Sequence, residues 1–319
     1  MSDDKSVLLI NRTEVRRLLT WPELLAATRT ALIATAMGGE AVVTSSTQLV
    51  VPDASLHLKA GALAQLPTMS VKANLRPNAG RASGAILAFD LVQMKLHAIL
   101  ASADLTAMRT AAIAAVAAQA LLVQRPVRVA LLGAGPVAQR VLEVLSHLEL
   151  LSEVTVWSRN VTRAQAVVDA APDGPRARAT DDVQAALNGA ELVVTCTPSR
   201  APLFEAEHLH PHAVILAMGA DTAGKQELPP SVLEAAVVYT DVREDALRVG
   251  ESSHLSEEAA DRVRDLGLFL DDSPLPQTSH TGWTVFDSVG SSAADVVAVS
   301  LVVRQAESMG LGQRVQLNA

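Results

Sequence analysis

Residues 129–138, VALLGAGPVA, join a run of apolar residues to a glycine-rich turn and the start of a helix. Gly133, Gly135 and Ala138 satisfy the G-x-G-x-x-G/A pattern of dinucleotide-binding turns. Gly133 permits a tight turn, Gly135 lets the backbone approach a pyrophosphate, and Ala138 is small enough for helix–strand packing. The alternative, a purely structural glycine turn, is disfavoured because the turn lies between a predicted strand and a predicted helix.

This turn opens a series of apolar runs that alternate with helical patterns. The runs occupy residues 127–132, 154–157, 192–195, 214–218 and 237–240. Strands that are buried on both faces and alternate with helices are typical of a doubly wound parallel sheet. We therefore predict an α/β fold with a Rossmann domain, in which backbone N–H groups and the helix dipole hold phosphates. The residues of the turn predicted to bind the cofactor are Gly133, Ala134, Gly135, Pro136 and Val137.

The N-terminal part has a different pattern, in which apolar and polar residues alternate at period two. Residues 41–59 are predicted to form antiparallel strands, and residues 70–75 and 84–90 two further strands. Helical patterns follow at residues 104–124 and, near the end of the chain, at 291–310. The N-terminal part is therefore expected to contain an antiparallel sheet and helices, an α+β arrangement.

The last helical pattern bears on the domain boundaries. It follows the alternating region, whose sheet we expect to end near residue 285, so we predict that it returns to the first domain. The prediction is one domain from residues 1–124 and 285–319, with a Rossmann domain at 125–284 inserted into it. Within the inserted domain, residues 256–266 are predicted to form a helix.

Composition excludes several classes of protein. The 319 residues include 26 Lys+Arg and 34 Asp+Glu, and the resulting charge of −8 argues against binding to a nucleic-acid backbone. Cys196 is the one cysteine, which excludes a disulfide framework and a cysteine-rich zinc site. His208, His210 and His212 alternate on a loop without acidic or cysteine partners nearby, so we predict that they are solvated and hold no metal.

No long apolar segment suggests a membrane span. The longest apolar run, residues 111–123, contains Gln119 and falls short of the roughly 20 residues that a membrane helix needs. The apolar residues 7–10 are too few for the core of a signal peptide. We expect a cytoplasmic protein with no membrane partner.

The end of the second predicted strand bears on cofactor choice. An NAD-selective site usually has an acid about 20 residues beyond the glycine turn, where it accepts from the ribose 2′-OH. This chain has Ser158 and Arg159 there, a hydroxyl and a guanidinium that suit a 2′-phosphate. We therefore predict a preference for NADP(H), with NAD(H) as the alternative if Arg159 is only a solvated surface charge.

Another predicted strand ends at residues 195–199, TCTPS. Ligands bind at the carboxyl ends of strands in open α/β sheets, so Thr197 is predicted to line the cofactor site. Cys196 has two interpretations, a buried small apolar residue or a nucleophile. The first is favoured because no His/Asn arrangement lies nearby in the sequence to activate the thiol.

Several strings occur together and in a fixed order. They are residues 71–78 (VKANLRPN), 83–90 (SGAILAFD), 105–112 (LTAMRTAA), 218–228 (MGADTAGKQEL) and 285–290 (VFDSVG). In this order and spacing, over almost the whole chain, they resemble the ornithine cyclodeaminase/μ-crystallin family. The resemblance implies a substrate-binding and dimerisation domain around an inserted Rossmann domain. It also implies a homodimer and hydride transfer between NAD(P) and the α-carbon of an amino or imino acid.

Two basic residues in these strings suit an imino acid substrate. Arg109, predicted to lie in the first turn of a helix, offers a fork for a bidentate contact with the substrate carboxylate. An ordinary helix arginine is the alternative, although a cation at that end opposes the helix dipole. Lys72, on a predicted strand, is assigned to the substrate carboxylate or to charge that develops during the reaction. A lone strand lysine is otherwise usually solvated.

Asp221 follows a predicted buried strand and a Gly-Ala pair. An acid at this edge of the sheet can exchange a proton with the substrate nitrogen or with an added water. The resemblance assigns the catalytic acid to this position, whereas a capping role in the following loop is the alternative. By resemblance alone, Thr110, Val289 and Gly290 are assigned to the cofactor site.

The chain departs from the family pattern at two places. Around residues 46–49 the family commonly has an arginine that helps to bind the substrate carboxylate, and here Gln48 or a neighbour takes its place. His57 lies where ornithine cyclodeaminases have a more acidic or neutral strand, so it faces either the substrate or solvent. Both changes argue against ornithine, because its side-chain ammonium should prefer an acidic neighbour.

These features predict an enzyme, an NADP(H)-dependent reductase of cyclic or linear imino acids such as pyrroline- or piperideine-2-carboxylate. In this interpretation Arg109 and Lys72 orient the substrate and Asp221 manages the proton. The alternatives are an amino-acid cyclodeaminase that releases ammonia and an enzyme that resembles alanine dehydrogenase. A further alternative is an NADPH-bound binding protein of μ-crystallin type with little turnover.

Overall fold

The computed structural model describes residues 6–39, 42–77, 82–172, 174–271 and 282–317, so residue 41 of the predicted strands and residue 78 of the string at 71–78 lie outside them. The strands are β1 (Ser6–Ile10), β2 (Val42–Val51), β3 (Ala54–Leu63), β4 (Thr68–Pro77), β5 (Ser83–Asp90), β6 (Lys95–Ala101), β7 (Val127–Leu132), β8 (Leu151–Trp157), β9 (Arg176–Thr180), β10 (Leu192–Thr195), β11 (Val214–Ala217), β12 (Val237–Thr240), β13 (Arg264–Asp265), β14 (Thr284–Asp287) and β15 (Gln313–Gln316). The helices are α1 (Arg12–Leu18), α2 (Trp21–Met37), α3 (Ser102–Leu121), α4 (Pro136–His147), α5 (Val161–Asp169), α6 (Val183–Leu187), α7 (Pro230–Ala235), α8 (Arg243–Val249), α9 (Glu257–Ala260) and α10 (Ser292–Met309). Within the described ranges, no helix has the combined length and apolar character that crossing a membrane requires.

The chain forms two compact units. The first comprises Met1–Arg109 with Ser291–Ala319, and the second comprises Thr110–Gly290. A seven-stranded sheet lies in the first unit and an eight-stranded sheet in the second. The assignment of substrate binding and dimerisation to one domain and of dinucleotide binding to the other stays a prediction.

The sheet of the second unit is parallel throughout, with the strand order β13-β12-β14-β11-β10-β7-β8-β9. Its central strands are short and apolar, and every residue of β10 and β11 is buried. Such strands need helices on both faces, which the intervening helical segments supply. The predicted α/β class with a Rossmann sheet is confirmed.

The sheet of the first unit is mainly antiparallel, with β2 to β6 paired in sequence order. Strand β1 joins it by parallel pairing with β6, and β15 covers the free edge of β1. Helix α10 packs on β3, β4 and α2. Its small and branched residues Ala293, Val296 and Val297 form a core with Ala31 and Leu63. One face of this sheet is therefore covered by helix.

Some predicted elements differ from the structure. The predicted helix at 256–266 is wrong beyond α9, because the Arg243 guanidinium bonds to the carbonyls of Ala260 and Val263, each at 3.1 Å, which ends the helix there. The following residues instead form β13, which pairs with β12. Strands β6 and β9 were not predicted. In β9, Arg176 and Arg178 alternate with alanine and threonine, so this edge strand lacks the large apolar residues that identify the others.

Helix α3 begins earlier than predicted. It starts at Ser102, directly after β6, and the Ser102 hydroxyl donates to Asn74 Oδ1 on β4 at 2.6 Å. The prediction that Arg109 lies in the first helical turn is therefore wrong, since Arg109 is the eighth residue of α3. The dipole at a helix start is confined to its first turn, so it does not bear on Arg109.

Candidate cofactor and substrate sites

Gly133 is required by the packing of the second unit itself. It has φ +137°, and a Cβ added there would lie 2.7 Å from Cys196 Sγ and 2.9 Å from the Cys196 carbonyl oxygen. Its N–H donates to the carbonyl of Trp157 at 2.9 Å, which links the turn to the end of β8. Only glycine fits this conformation and this close approach to β10.

Gly135 has a different environment. A Cβ added there would meet no protein atom within 4 Å, so the fold itself does not require glycine at this position. Gly135 is the N-cap of α4 and provides no side-chain cap, while Ala138 is fully buried one turn later. Ala134 is half-buried and Pro136 is exposed. The open space above Gly135 and the uncapped start of α4 suit the close approach of a pyrophosphate.

Ser158 and Arg159 follow β8 directly. Ser158 is half-buried and its hydroxyl oxygen accepts from the Asn160 N–H at 3.3 Å. Arg159 is exposed. Both lie at the carboxyl end of a parallel strand next to β7, which leads into the glycine turn. The position is that of a ribose contact in a Rossmann fold.

Cys196 lies beside this turn and its thiol is oriented towards the Leu132 carbonyl, at 3.6 Å. Burial raises the pKa of the Cys196 thiol, and the charge of Glu227 raises it further. A thiol with a raised pKa stays protonated and is a poor nucleophile. Its environment therefore favours the interpretation of Cys196 as a packing residue.

Glu227 organises the edge of the sheet where β10 and β11 end, and sequence reasoning missed it. Its Oε1 accepts from the Thr197 N–H at 2.6 Å and from the Thr197 hydroxyl at 2.7 Å. Its Oε2 accepts from the Thr195 hydroxyl at 2.7 Å and from the Gly219 N–H at 2.9 Å. Glu227 is fully buried, which raises its pKa, while these four donors oppose that effect. The predicted cofactor residue Thr197 is thus held by an internal carboxylate.

Two more buried acids extend this arrangement. Glu251 accepts from the N–H groups of Glu227 and Leu228, at 2.6 and 3.1 Å. Asp287 Oδ2 accepts from the N–H and the hydroxyl of Ser252, both at 2.7 Å, whereas Asp287 Oδ1 has no partner among the described residues. Burial raises the pKa of Glu251 to about 8 and that of Asp287 to about 7. Both carboxyls therefore tend to hold a proton near neutral pH.

Asp241, at the end of β12, holds the turn that contains Val289 and Gly290. Its carboxylate accepts from the Ser288 hydroxyl at 2.7 Å and from the N–H groups of Val289 and Gly290, at 3.1 and 2.8 Å. Gly290 has φ +83°, which glycine adopts without strain. In the sequence, Asp241 is identifiable as an acid that directly follows a buried strand, β12.

Asp221 lies in the loop that follows β11, as predicted from its place after the strand. Its Oδ1 accepts from Lys225 Nζ at 2.6 Å and from the Thr222 hydroxyl at 3.1 Å. Lys225 Nζ also donates to the Gly219 carbonyl at 3.1 Å. The Asp221 side chain is 22% exposed, so it is oriented by its neighbours and still accessible.

In the first unit, the two predicted basic residues meet on one acid. Lys72 Nζ donates to Asp295 Oδ2 at 2.5 Å, and Arg109 Nε donates to Asp295 Oδ1 at 2.9 Å. Lys72, Arg109 and Asp295 are all buried, with exposed fractions of 4, 5 and 1%. The structure thus brings together β4, α3 and α10 through one carboxylate that sequence reasoning did not identify.

This cluster has more positive than negative charge, and its pKa values reflect that. Burial lowers the pKa of Lys72 to about 7, the charge of Arg109 lowers it as well, and Asp295 opposes both effects. Burial alone would raise the pKa of Asp295, but the charges of Arg109 and Lys72 hold it below its usual value. Asp295 is therefore a carboxylate between two cations, Arg109 and Lys72, and the Lys72 ammonium loses its proton near neutral pH.

Gln48 and His57 lie in the row of cross-strand partners next to Lys72. His57 on β3 pairs with Gln48 on β2 and with Asn74 on β4. Asn74 is two positions from Lys72 on β4, and His57 is two positions from Lys59, the partner of Lys72 on β3. On β2, Gln48 is two positions from Ser46, the partner of Lys59. Side chains two positions apart on a strand point to the same face, so all three lie on the Lys72 face of the sheet. Gln48 is exposed and His57 is half-buried, with its Nε2 2.9 Å from the Ser55 hydroxyl.

The remaining predicted residues are placed as follows. Thr110 is buried in α3, and Val137 is half-buried in the first turn of α4. His208 is not simply solvated, since its Nδ1 accepts from the Glu205 N–H at 3.1 Å and its side chain is 20% exposed. His210 and His212 are exposed. Across the part of the chain that the structure describes, no group of three His, Cys, Asp or Glu side chains is placed to hold a metal ion.

Comparison with solved structures shows which proteins share this fold. An archaeal alanine dehydrogenase, a dimer with bound NAD, superposes with a TM-score of 0.88 at 23% identity, over 98% of this chain and 99% of that one. The Δ1-pyrroline-2-carboxylate reductase of Thermococcus litoralis, in complex with NADH and L-proline, gives 0.87 at 18% identity, over 97 and 100%. At these identities the likeness concerns the fold alone.

Sequence comparison gives the family. Ketimine reductase mu-crystallin of Mus musculus is 33% identical over 217 residues, which is 68% of this chain and 67% of that protein. Iminosuccinate reductase of Paracoccus denitrificans is 26% identical over 276 residues, which is 83% of this chain and 85% of that protein. L-lysine cyclodeaminase of Streptomyces rapamycinicus is 29% identical over 229 residues, which is 70% of this chain and 65% of that protein. The model of the ornithine cyclodeaminase/mu-crystallin family matches residues 12–310. With its strings, its Rossmann sheet and this match in agreement, the chain belongs to the ornithine cyclodeaminase/mu-crystallin family.

Proposed function

We propose that this protein is an oxidoreductase that transfers a hydride from NADPH to the C=N carbon of a cyclic or linear imino acid. The observation that carries the proposal is the cluster of Lys72, Arg109 and Asp295. Two buried cations share one carboxylate, so the cluster retains a positive charge that a substrate carboxylate can neutralise. The names of two relatives, a ketimine reductase and an iminosuccinate reductase, describe the same chemistry.

Arg109 and Lys72 bind and orient the substrate carboxylate in this proposal. The bond from Arg109 to Asp295 uses Nε, so the two terminal nitrogens are the donors for a bidentate contact with the substrate. Asp295 fixes both cations, which reduces the side-chain entropy lost when the substrate binds. A carboxylate held in this way sets the position of the adjacent C=N carbon.

The second unit contains residues that fit a dinucleotide. Gly133 and Gly135 allow the backbone to approach a pyrophosphate, and Thr197 is positioned by Glu227 at the edge of the sheet. When bound, the reduced nicotinamide supplies the hydride. Ser158 and Arg159 lie at the end of β8, where a hydroxyl and a guanidinium favour the 2′-phosphate of NADPH over the 2′-hydroxyl of NADH.

Asp221 handles the proton in this proposal. Its carboxylate is held by Lys225 and Thr222 and is partly exposed, so it can exchange a proton with the substrate nitrogen. Lys225 also contacts the Gly219 carbonyl, which keeps the loop in place around the acid. In this proposal, the Asp221 carboxylate passes a proton from water to the substrate nitrogen as the hydride is transferred.

The first unit also provides a surface for a homodimer. Leu49, Leu56 and Leu75 form one cross-strand row on the face opposite Lys72, and Leu49 and Leu75 are 56 and 45% exposed. Exposed apolar residues that are contiguous on a sheet mark an interaction surface. We assign this face to contact with a second copy of the chain, consistent with a substrate-binding and dimerisation role for the first unit.

A turnover screen tests the proposed function. Purified protein is mixed with NADPH or NADH and with pyrroline-2-carboxylate, piperideine-2-carboxylate, or 2-oxo acids with ammonia, and the oxidation of the reduced nicotinamide is followed. We expect NADPH oxidation with at least one imine, and its loss in Asp221→Asn while NADPH still binds. In a parallel assay with oxidised NADP or NAD and ornithine or lysine, ammonia release without net formation of the reduced nicotinamide would instead identify a cyclodeaminase. NADPH binding without turnover of any compound would identify a binding protein.

A further inference from the structure

Asn74 lies beside the proposed carboxylate site, on the same face of the sheet of the first unit. It follows Lys72 by two positions on β4, so both side chains point to this face, with Cα atoms about 7 Å apart along the strand. Asn74 is 9% exposed and therefore largely enclosed. A carboxamide in such a position is expected to have hydrogen-bond partners for its oxygen and for its nitrogen.

The carboxamide of Asn74 is fixed through its oxygen. Oδ1 accepts from the hydroxyl of Ser102, the first residue of α3, at 2.6 Å. Gly84 is the partner of Asn74 on β5, and a Cβ added there would lie 2.3 Å from Asn74 Oδ1. The glycine therefore leaves the space that this oxygen occupies. Because the carboxamide is planar, Nδ2 is directed away from Ser102.

The nitrogen of this carboxamide lacks an acceptor. Nδ2 carries two N–H donors, and among the described residues the one side-chain hydrogen bond of Asn74 is the bond to Ser102. An enclosed donor that stays unpaired costs free energy. A ligand oxygen that accepts from Nδ2 removes this cost on binding.

On the other side of Lys72 the face is covered. Ser70 and Gly61 form the next row of the sheet there, and Ser70 is buried. A Cβ added at Gly61 would lie 3.0 Å from Ser292 Cβ, so the start of α10 packs directly on this row. A substrate whose carboxylate binds Lys72 is therefore expected to extend along β4 towards Asn74 and not towards Ser70.

The row that contains Asn74 favours an uncharged group on the substrate. Its cross-strand members are His57 on β3 and Gln48 on β2, neither of which is an acid or a permanently charged base. A hydroxyl oxygen accepts from an amide N–H without the desolvation cost that a second carboxylate would carry here. An ammonium group has no lone pair with which to accept, so a basic side chain is disfavoured.

We infer that Asn74 determines substrate specificity, that its Nδ2 donates to a hydroxyl group on the side chain of the imino acid, and that Ser102 positions it for this contact. The inference rests on the proposed function and narrows its substrate class to hydroxylated imino acids. Lys72 and Arg109 hold the α-carboxylate, and Asn74 contacts the far end of the substrate.

Acids of equal chain length test this contact. Imines formed in place from ammonia and 2-oxobutyrate, 4-hydroxy-2-oxobutyrate or oxaloacetate end in a methyl, a hydroxyl and a carboxylate group. A second series, one carbon longer, uses 2-oxopentanoate, 5-hydroxy-2-oxopentanoate and 2-oxoglutarate. With NADPH and the wild-type protein, we expect the highest kcat/KM for the hydroxylated imine of at least one series, about tenfold above its methyl counterpart, because the methyl group leaves the enclosed donors unpaired.

Variants then assign the preference to Asn74. Asn74→Leu keeps the approximate size of the side chain and removes the donors, so kcat/KM for the hydroxylated and the methyl imine should agree within about twofold. Ser102→Ala releases the carboxamide and should reduce the preference, an effect on the ratio of the two substrates that a purely structural role would not have. Gln65→Leu replaces an exposed amide of the same unit and is the control, with the wild-type preference retained.

A binding measurement makes the test independent of turnover. The amino acids that correspond to the shorter imines are 2-aminobutyrate, homoserine and aspartate. Calorimetric titration of each into the wild-type protein with NADP present should give the lowest Kd for homoserine. This comparison needs no variant, so it holds even if Asn74→Leu fails to fold.

The outcomes separate this inference from the proposed function. If a methyl or a carboxylate imine has the highest kcat/KM in both series, the hydroxyl assignment is overturned and the reductase function stays intact. A hydroxyl preference that survives in Asn74→Leu would remove Asn74 from substrate recognition. No turnover of any imine would overturn the reductase function itself, and equal Kd values for homoserine and 2-aminobutyrate would then overturn the hydroxyl contact as well.

Discussion

Lys72 and Asp295 are 223 positions apart in the sequence, yet Lys72 Nζ lies 2.5 Å from Asp295 Oδ2 in the first unit. Strand β4 carries the lysine and helix α10 carries the acid, and both side chains are buried. The bond therefore exists only when α10 packs on the sheet. Packing of α10, the last helix, on the sheet therefore places Asp295 beside Lys72, which is one of the residues proposed to bind substrate.

The first prediction concerns the loss of this acid. Asp295→Asn removes the negative charge between Lys72 and Arg109, which leaves the buried Arg109 without its ionic partner and lowers the pKa of Lys72 further. Removal of one partner from a buried ion pair costs about 3–5 kcal/mol, so we expect the free energy of unfolding to fall by that order. Denaturation with urea, followed by circular dichroism, measures it. Glu307→Gln, a partly exposed acid on the same helix, should have little effect. Equal stability of Asp295→Asn and wild type would show that the ion pair contributes nothing to folding.

The sequence identifies Lys72 and Arg109 of this cluster but not Asp295. Lys72 and Arg109 are found because both lie in strings that resemble the family. Asp295 lies in the first turn of α10, where an acid is expected simply to complement the helix dipole. Its pairing with residues on β4 and α3 depends on tertiary packing, which no local pattern contains.

The second prediction concerns Glu227. In Glu227→Gln, the amide nitrogen replaces either Oε1, which accepts from the Thr197 N–H, or Oε2, which accepts from the Gly219 N–H. Either orientation places a donor against a buried backbone donor. We expect a loss of about 2 kcal/mol in the free energy of unfolding and an increase of about tenfold in the Kd for NADPH.

Urea denaturation and fluorescence titration with NADPH measure these two effects. Glu207→Gln is the control, because the side chain of Glu207 is 83% exposed. An unchanged Kd in Glu227→Gln would show that Glu227 supports the fold and does not position Thr197 for the cofactor.

The third prediction concerns cofactor choice. In Arg159→Gln, the guanidinium proposed to meet the 2′-phosphate is lost, whereas contacts to the rest of the dinucleotide remain. We expect the Kd for NADPH to rise about tenfold and the Kd for NADH to stay the same. Titration of the nicotinamide fluorescence gives both constants. Arg163→Gln, an exposed arginine on α5, is the control. Equal weakening of both cofactors would remove Arg159 from the discrimination.

The fold is predicted best where burial leaves a strong pattern. β7, β10 and β12 consist mainly of apolar residues, apart from the exposed Arg128 in β7 and a terminal threonine in β10 and β12, and their predicted bounds match the structure. The edge strand β9 is not predicted because its arginines face solvent and its remaining residues are the small alanine and threonine, which are also common in loops. The helix predicted from residue 256 onwards fails for another reason, since the carbonyls that would continue it are bound by the distant Arg243.

The fourth prediction concerns pH. The pKa of Asp287 is about 7 and that of Glu251 about 8 in the folded protein, because burial penalises their charged forms. In the unfolded chain, carboxyls have a pKa of about 4. The folded state thus holds protons that the unfolded chain has released, and the free energy of unfolding falls as pH rises from about 4 to about 8. The contribution is full below that window and lost above it.

Asp287→Asn removes one of these groups. Relative to wild type, the variant should gain about 1 kcal/mol or more between about pH 5 and about pH 7.5. Its carbonyl can still accept from Ser252, so the fold is expected to persist. Urea denaturation at both pH values measures the difference, and the exposed Glu244→Gln is the control. A parallel pH dependence of wild type and Asp287→Asn would show that Asp287 is ionised in the folded protein throughout.

The last prediction concerns the outer face of the antiparallel sheet. Leu56 is half-buried between Leu49 and Leu75, and these neighbours expose apolar surface that α10 does not cover, since α10 packs on the opposite face. If two copies join here, Leu56→Glu buries a carboxylate without a partner, which costs several kcal/mol. In a single copy the new carboxylate reaches water.

We therefore expect Leu56→Glu to be folded and monomeric in light scattering, at 33.5 kDa, and we expect the wild-type protein to be a dimer. Val123→Glu, at a position that is 97% exposed in the second unit, should remain dimeric. A Leu56→Glu protein with the mass of the wild type would exclude this face as the interface. Since burial of this apolar face would also rigidify β3 and β4, the monomer should bind substrate more weakly, with a higher KM and an unchanged Kd for NADPH.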